Sequence, residues 1–382
     1  MRTWRLECSA CDHRAPGSAL ATVCPSCGQP LLVRYDGKAP ARADLADRWD
    51  MWRYAPLLPV AVGERIVSLG EGATPLIDAP SFAKSLGVRR VWLKDEGLNP
   101  TGSFKARGMS AAVTRALALG VKGFSVPTAG NAGAALAAYG AAARLPVRVF
   151  APRETPAAIL ATIRTLGAEL TLVDGHIGDA GKQARAFAAE SGWFDVSTLR
   201  EPYRIEGKKT MGLEIAEQLG WKRLPTHIVY PTGGGTGLIG MWKVFRELLD
   251  LGWLPKDTAL PRMIVAQADG CAPIVRAHQT GADRATPWEN PTTHAAGLRV
   301  PGPLGDRLIL KAVKESAGDA VAIPEQGIRD ATAWVSRETG IDAAPEGGCA
   351  MAVLQQMRND GRIGTDAEVL VFNTGSGASY RT

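Results

Sequence analysis

The sequence predicts an α/β protein built on mostly parallel sheets, and three observations carry that prediction. Short runs rich in Val, Ile, Leu and Phe alternate with amphipathic stretches of helical period over most of the chain. Three loops that follow such runs are rich in glycine or carry a capping asparagine, and each opens a helical stretch. No repeat of fixed period and no low-complexity segment interrupts the alternation.

The chain starts with a different texture. Met1-Arg2-Thr3-Trp4 leads into Arg5 and Glu7 with neither an apolar signal core nor a small-residue cleavage site, so a cytoplasmic address is expected. Four of the six cysteines form two knuckles, Cys8-x2-Cys11 and Cys24-x2-Cys27, separated by twelve residues, with Pro25 and Gly28 to turn the second. Pairs this tight suit tetrahedral thiolate ligation of a structural Zn2+ by Cys8, Cys11, Cys24 and Cys27, with disulfides as the alternative. Cys271 and Cys349 stand alone and read as small buried side chains. Residues 1–35 are thus expected to be a zinc-ribbon-like module, 36–59 a connector with one short helix, and 60–382 the main body.

In the body, strands are expected at 91–93, 123–126, 147–150, 170–173, 227–230, 263–266 and 369–372. Helices are expected at 104–119, 132–143, 157–166, 208–219 and 238–249. The 382 residues, 46% hydrophobic and 21% charged, suffice for two or three packed cores. The formal net charge of +6 comes from 44 basic and 38 acidic residues that are scattered, without a basic run, so nucleic acid is not an expected partner. The longest apolar stretches, such as Ala134 to Ala143, fall short of the ~20 residues that cross a bilayer, so no membrane partner is expected either. The five histidines show no metal-ligand spacing.

Chemistry is expected in the loops beyond the strands. In Asn99-Pro100-Thr101-Gly102-Ser103-Phe104-Lys105 a turn delivers one lysine to the start of a helix, where the helix dipole lowers an amine's pKa and favours attack on an aldehyde. In Pro127-Thr128-Ala129-Gly130-Asn131 an N-cap asparagine opens a helix whose small residues let a flat ligand approach the backbone. In Pro231-Thr232-Gly233-Gly234-Gly235-Thr236-Gly237 successive amides at a helix start make a nest for a phosphate dianion. This stretch also contains Gly235-x-Gly237-x-x-Gly240, so an NAD site is an alternative. The acid that such a site needs is misplaced, however, because Asp250 comes too early and Asp269 too late.

The ordered set Pro-Thr-Gly-Ser-Phe-Lys, Ala-Gly-Asn, Gly-Gly-Gly-Thr-Gly and Asn373-Thr374-Gly375-Ser376-Gly377 resembles the fold-type II enzymes of pyridoxal phosphate (PLP), the tryptophan synthase β-like class. Within them it looks most like the threonine synthases, from about Leu69 to the end of the chain. The resemblance implies two α/β domains with the cofactor between them, the smaller spanning about 110–200 and closing on substrate, and a homodimer. It implies Lys105 as the lysine that carries the cofactor and shuttles protons, and Asn131 as the partner of the cofactor's 3′-oxygen. Gly233, Gly234, Gly235, Thr236 and Gly237 would surround the phosphate, and Thr374 would face the pyridine nitrogen. Tyr203-Arg204-Ile205-Glu206-Gly207-Lys208-Lys209-Thr210 resembles the family's Arg-x-Glu-Gly-x-Lys-Thr stretch, which makes Arg204 and Lys209 candidates for the substrate's phosphate, with Thr128 as a further substrate contact.

The implied reaction converts O-phosphohomoserine and water to threonine and phosphate. The chain departs from the family where threonine synthases carry Ser-Thr-Gly-Asn-Thr, since Thr128-Ala129-Gly130-Asn131-Ala132 lacks two hydroxyls. A pocket with fewer donors holds a phosphate less well. A small amino acid processed by β-elimination or β-replacement, as in serine or threonine dehydratases and cysteate- or cysteine-synthase-like enzymes, is therefore the alternative. A zinc-ribbon ligand sensor is a third reading, opposed by the intact Lys105, Asn131 and glycine loop.

Overall fold

The computed structural model describes residues 3–381; Met1 and Arg2, which open the expected zinc-ribbon-like module, lie outside the described residues. At the start, β1 (Thr3–Cys8), β2 (Arg14–Pro16) and β3 (Leu31–Asp36) pair antiparallel in the order β2-β1-β3. The connector holds two short 3-10 helices, Arg42–Asp44 and Met51–Leu57, where the sequence predicts one helix. It is packed against the body, because Trp52, 1% exposed, donates its indole N–H to Glu71 Oε1 at 3.0 Å and Ser110 Oγ at 2.9 Å.

The body runs β4 (Leu76–Asp78), α1 (Pro80–Leu86), β5 (Arg90–Asp95), α2 (Lys105–Ala118), β6 (Phe124–Pro127), α3 (Asn131–Ala143), β7 (Val147–Pro152), α4 (Ala157–Thr165), β8 (Glu169–Val173) and α5 (Ile177–Ser191). It continues through β9 (Phe194–Asp195), α6 (Tyr203–Gln218), β10 (His227–Pro231), α7 (Thr236–Asp250), β11 (Arg262–Ala268), α8 (Pro273–Gln279) and α9 (Asp306–Glu315). It closes with β12 (Asp319–Ile323), α10 (Glu325–Thr339), α11 (Pro345–Asn359) and β13 (Glu368–Asn373). One sheet has the order β8-β7-β6-β9, all parallel. The other has the order β12-β11-β10-β13-β5-β4, parallel except at the edge strand β4.

Alternation explains why the strands of the larger sheet read as continuous apolar runs. Ile228, Tyr230, Met263, Val265, Leu370 and Phe372 pack into one core. Their sequence neighbours Val229, Ile264, Ala266, Val369 and Val371 pack into another. With a side-chain period of two, both faces of a parallel sheet are covered by helices. The seven expected strands and five expected helices are all present with shifted ends. The largest shift is at α6, which begins at Tyr203 and not at Lys208, because the Glu201 carboxylate accepts the N–H groups of Tyr203 (2.7 Å) and Arg204 (3.0 Å) and so caps an earlier start. No helix among the described residues is long and apolar enough to cross a membrane.

The helices α2 and α6 meet at their backbones. A Cβ on Gly207 would stand 2.0 Å from Arg107 O, so only glycine permits the approach. Beside it a charge network joins both helices to β5. Arg107, fully buried, contacts Glu96 at 2.7 Å and Glu214 at 2.6 Å, and Glu214 also accepts from Lys94 at 2.9 Å. Thr210 Oγ1 takes a further Arg107 N–H at 3.0 Å. Removing one member strands the others without solvent. Arg107→Ala is expected to lower the unfolding free energy by about 3–5 kcal/mol, read from urea unfolding followed by circular dichroism.

Candidate active site

One cavity gathers the loops that follow β6, β10 and β13. Residues 128–131, 233–236 and 374–375 line a space of about 580 Å3 together with the start of α2, part of α5 and the segment 296–304. Such a volume suits a small-molecule ligand. Lys105 is the first residue of α2, and that turn is fastened to the end of β13: Ser103 bridges Gly375, and Phe104 N–H donates to Thr374 O at 3.1 Å. The Lys105 Nζ lies 4.3 Å from the centroid of the Phe104 ring. Burial and the Arg204 cation bring its pKa down to about 8, against the opposing pull of Glu346. An amine so placed is neutral often enough near neutral pH to act as a nucleophile.

Asn131 lines the cavity as the first helical residue of α3; the cap position falls to Gly130. The capping hydroxyl is that of Thr128, which accepts from Gly130 N and Gly133 N, both at 3.1 Å, and donates to Gly130 O at 2.6 Å. Thr128 therefore stands at the cavity with its hydroxyl committed to its own loop. The Asn131 amide and the Thr374 hydroxyl have no hydrogen-bond partner among the described residues.

Gly233, Gly234, Gly235, Thr236 and Gly237 form the opposite wall, and Gly235 caps α7 with a left-handed φ of +73°. A Cβ on Gly233 would come within 2.2 Å of Gly297 O and one on Gly237 within 2.0 Å of the Tyr230 hydroxyl, so the loop is confined between two other segments. Its successive amides at the start of α7 are of the kind that bind anions at helix N-termini.

The two expected anion contacts do not reach the cavity. Lys209 lies on the far side of α6, paired with Glu206 at 2.7 Å and Glu247 at 3.1 Å and bonded to the Tyr35 hydroxyl of β3 at 3.2 Å. Arg204 is 1% exposed and donates to Val196 O at 2.7 Å, behind the lining. Successive helical residues point about 100° apart, so Arg204 shares its face with Lys208, at i+4, and not with Lys209. Besides Lys105, the basic residues that do line the cavity are Arg185 on α5, Arg200 before α6 and Arg299. Neither Arg185 nor Arg200 has a carboxylate within ion-pairing distance among the described residues. Burial and the neighbouring Arg185 lower the Arg200 pKa.

Glu346 at the start of α11 also lines the cavity, its Oε1 accepting Gly297 N–H at 2.7 Å and the Tyr380 hydroxyl. Apart from this cavity, Cys8, Cys11, Cys24 and Cys27 bring their sulfurs within 4.8 Å of one another, with separations of 3.4 Å (Cys8 to Cys27) and 3.6 Å (Cys11 to Cys24 and to Cys27). Four thiolates about 2.3 Å from a zinc ion would stand roughly 3.8 Å apart, so the cluster has the spacing of a tetrahedral thiolate site. Cys271 and Cys349 are fully buried.

Comparison with known proteins agrees with this geometry. Residues 67–375 match the family model described as pyridoxal-phosphate dependent enzyme. The chain belongs to that family. It is 35% identical over 377 residues to the threonine synthase of Methanosarcina acetivorans, covering 97% of this chain and 91% of that protein. It is 36% identical over 328 residues to the threonine synthase of Methanocaldococcus jannaschii, covering 86% and 80%. The fold is that of the fold-type II enzymes: maize serine racemase superposes with a TM-score of 0.69 at 20% identity over 80% of this chain and 88% of that one. The processed form of threonine deaminase isoform 2 from Solanum lycopersicum gives 0.66 at 22%, over 79% and 83%. Membership of the PLP family sets aside the dinucleotide alternative.

Capture of an aldehyde requires the neutral amine. With a pKa of about 8, the rate at which cofactor-free protein takes up pyridoxal is expected to rise with pH and level off above about pH 8 to 9, where an ordinary lysine would still be climbing. Stopped-flow absorbance across that range checks this, with Lys105→Ala as the silent control.

Proposed function

We propose that the chain is a threonine synthase-like lyase that uses PLP to convert O-phosphohomoserine and water to threonine and phosphate. The observation that carries the reading is the 35% identity to a threonine synthase over 97% of the chain, joined to a cavity that presents Lys105. The residues present fit the cofactor. Lys105 supplies the amine, the 233–237 loop a phosphate cradle, Asn131 an unpaired amide for a ring oxygen, and Thr374 an unpaired hydroxyl for the ring nitrogen. When bound, PLP provides the electron sink for the charge left on a deprotonated carbon.

Everything else falls to the chain's own side chains. Lys105 Nζ takes a proton from one substrate carbon and returns it at another, a task suited to a pKa near the working pH. Thr374 offers a hydroxyl in place of a carboxylate, which favours elimination and replacement over transamination. Arg185 and Arg200, without a carboxylate partner among the described residues, take the role expected of Arg204 and Lys209 and meet the substrate's phosphate. Closure of the smaller sheet's domain over the cavity would exclude water.

A second reading has its own support. Ala129 and Ala132 at the cavity supply no hydroxyl, and that of Thr128 is occupied, so β-elimination or replacement on an unphosphorylated amino acid suits this wall. Zinc on the four cysteines, a cytoplasmic address and a homodimer complete the proposal.

Phosphate release from O-phosphohomoserine, with threonine identified as product, tests the reading. Release is expected in the holoenzyme and absent in Lys105→Ala. Arg200→Ala should raise KM tenfold or more while leaving the colour of the bound cofactor unchanged, since a charge-assisted contact is worth about 1.5–3 kcal/mol. A coloured protein that releases no phosphate but deaminates serine or threonine would favour the second reading. Metal analysis should find one zinc per chain, lost in Cys24→Ser with a lower melting temperature.

A further inference from the structure

Lys208 is a fully buried lysine to which neither the sequence nor the proposed reaction gives a role. It stands on α6, one turn after Arg204, and its Nζ bonds Thr236 Oγ1 at 2.6 Å. Thr236 is the first residue of α7, in the glycine loop that forms the phosphate cradle. Its path is built: a Cβ on Gly108 of α2 would stand 2.9 Å from Lys208 Cε, so glycine there leaves the channel through which the stem passes. The Nζ lies 4.6 Å from the centroid of the Phe104 ring, the ring that also carries Lys105.

The surroundings are wrong for a lone ammonium. No carboxylate lies within ion-pairing distance of Lys208 among the described residues. The charged groups that face it are Arg204 on its own helix, Lys105 on α2 and Glu201 before α6, of which only Glu201 favours its charge. Burial and the two cations push its pKa well below that of an ordinary lysine. A buried amine with one hydrogen-bond partner out of three, reaching an anion cradle through a hydroxyl, is a site that lacks its counter-ion.

We propose that Lys208 is the positioning cation of the cofactor's phosphate and acts through Thr236. As the phosphate dianion enters the cradle, a proton from solvent passes to Lys208 Nζ. The ammonium then donates to Thr236 Oγ1, and the hydroxyl's own hydrogen turns to a phosphate oxygen. In the neutral form the amine's lone pair accepts that hydrogen, and the phosphate loses a donor. This rests on the family's cofactor and not on which amino acid is the substrate.

The test compares pyridoxal phosphate with pyridoxal, which has the same aldehyde and no phosphate, by titrating cofactor-free protein and following absorbance. Lys208→Met should weaken pyridoxal phosphate at least tenfold and pyridoxal less than twofold. In the wild type the ratio of the two affinities should fall as pH rises above the second ionisation of the phosphate and above the value of about 7 to which burial raises Glu201, because Lys208 then gives up its proton in the phosphate complex while it is already neutral in the other. In Lys208→Met it should stay flat. Dividing one affinity by the other removes the titration of Lys105. Equal loss for both ligands, or no loss, overturns the proposal. If the variant does not fold, a pH-independent ratio in the wild type overturns it alone. A wild type that binds neither ligand would instead overturn the cofactor assignment.

Discussion

The rest of the molecule depends on the contact between α2 and α6, where Gly207 lets two backbones meet and Arg107 holds them against β5 through Glu96 and Glu214. A buried arginine is tolerable only with its donors satisfied, and Arg107 reaches two carboxylates and two hydroxyls. That specificity fixes the register between the helices. One consequence is that Lys105, two residues before Arg107, and Lys208, one after Gly207, approach the same Phe104 ring from different elements. The site is thus set by a charge network that itself has no part in the chemistry.

Electrostatics then decides what the cavity can hold. Lys105, Arg185, Arg200 and Arg299 line it, Arg204 and Lys208 stand behind it, and Glu346 is the one acid in the lining among the described residues. Glu346 is held in place by Gly297 N–H and Tyr380, where it opposes the effect of Arg204 on Lys105. Such an excess of cations in a partly desolvated space is unfavourable until anions enter. A cofactor with a phosphate and an amino acid with a carboxylate and a second anion would supply what is missing.

Much of this is legible in the sequence because strand-to-helix loops carry their chemistry in short contiguous motifs. Lys105, Asn131, the 233–237 loop and Thr374 all lie in such motifs, and all line the cavity. Legibility fails where a residue's role depends on which way a helix turns. The family pattern points to Lys209, although Arg204 and Lys208, four apart, share a face. The early start of α6 is hidden by Pro202, and its cap is the side chain of Glu201, which lies before that proline. Arg185 is beyond the reach of motif reading, since it projects from mid-helix and nothing local marks it. The edge strands β4, β9 and β12 are too short for a periodic signal, two to five residues against flanking polar sequence.

The N-terminal sheet shows how a small module can matter to a site it never touches. Leu6, Cys24, Leu31 and Val33 share one core with Met109 and Val113 of α2 and Leu136 of α3, so the cysteine module is packed on the helices that carry Lys105 and Asn131. Two polar ties reinforce the packing. Arg115 of α2 donates to Gly17 O at 3.0 Å and lies 4.9 Å from the centroid of the Trp4 ring. Tyr35 donates to Glu206 of α6 at 2.5 Å, inside the cluster that engages Lys209, Lys243 and Glu247. A sheet of three short strands cannot bury enough apolar surface to hold its own shape, and a metal on the four cysteines would supply that stability independently of the body. Lys209 is therefore far from idle, for its bond to the Tyr35 hydroxyl, which in turn donates to Glu206, fastens α6 to the module on one side while Lys208, the next residue back, reaches Thr236 of the glycine loop on the other.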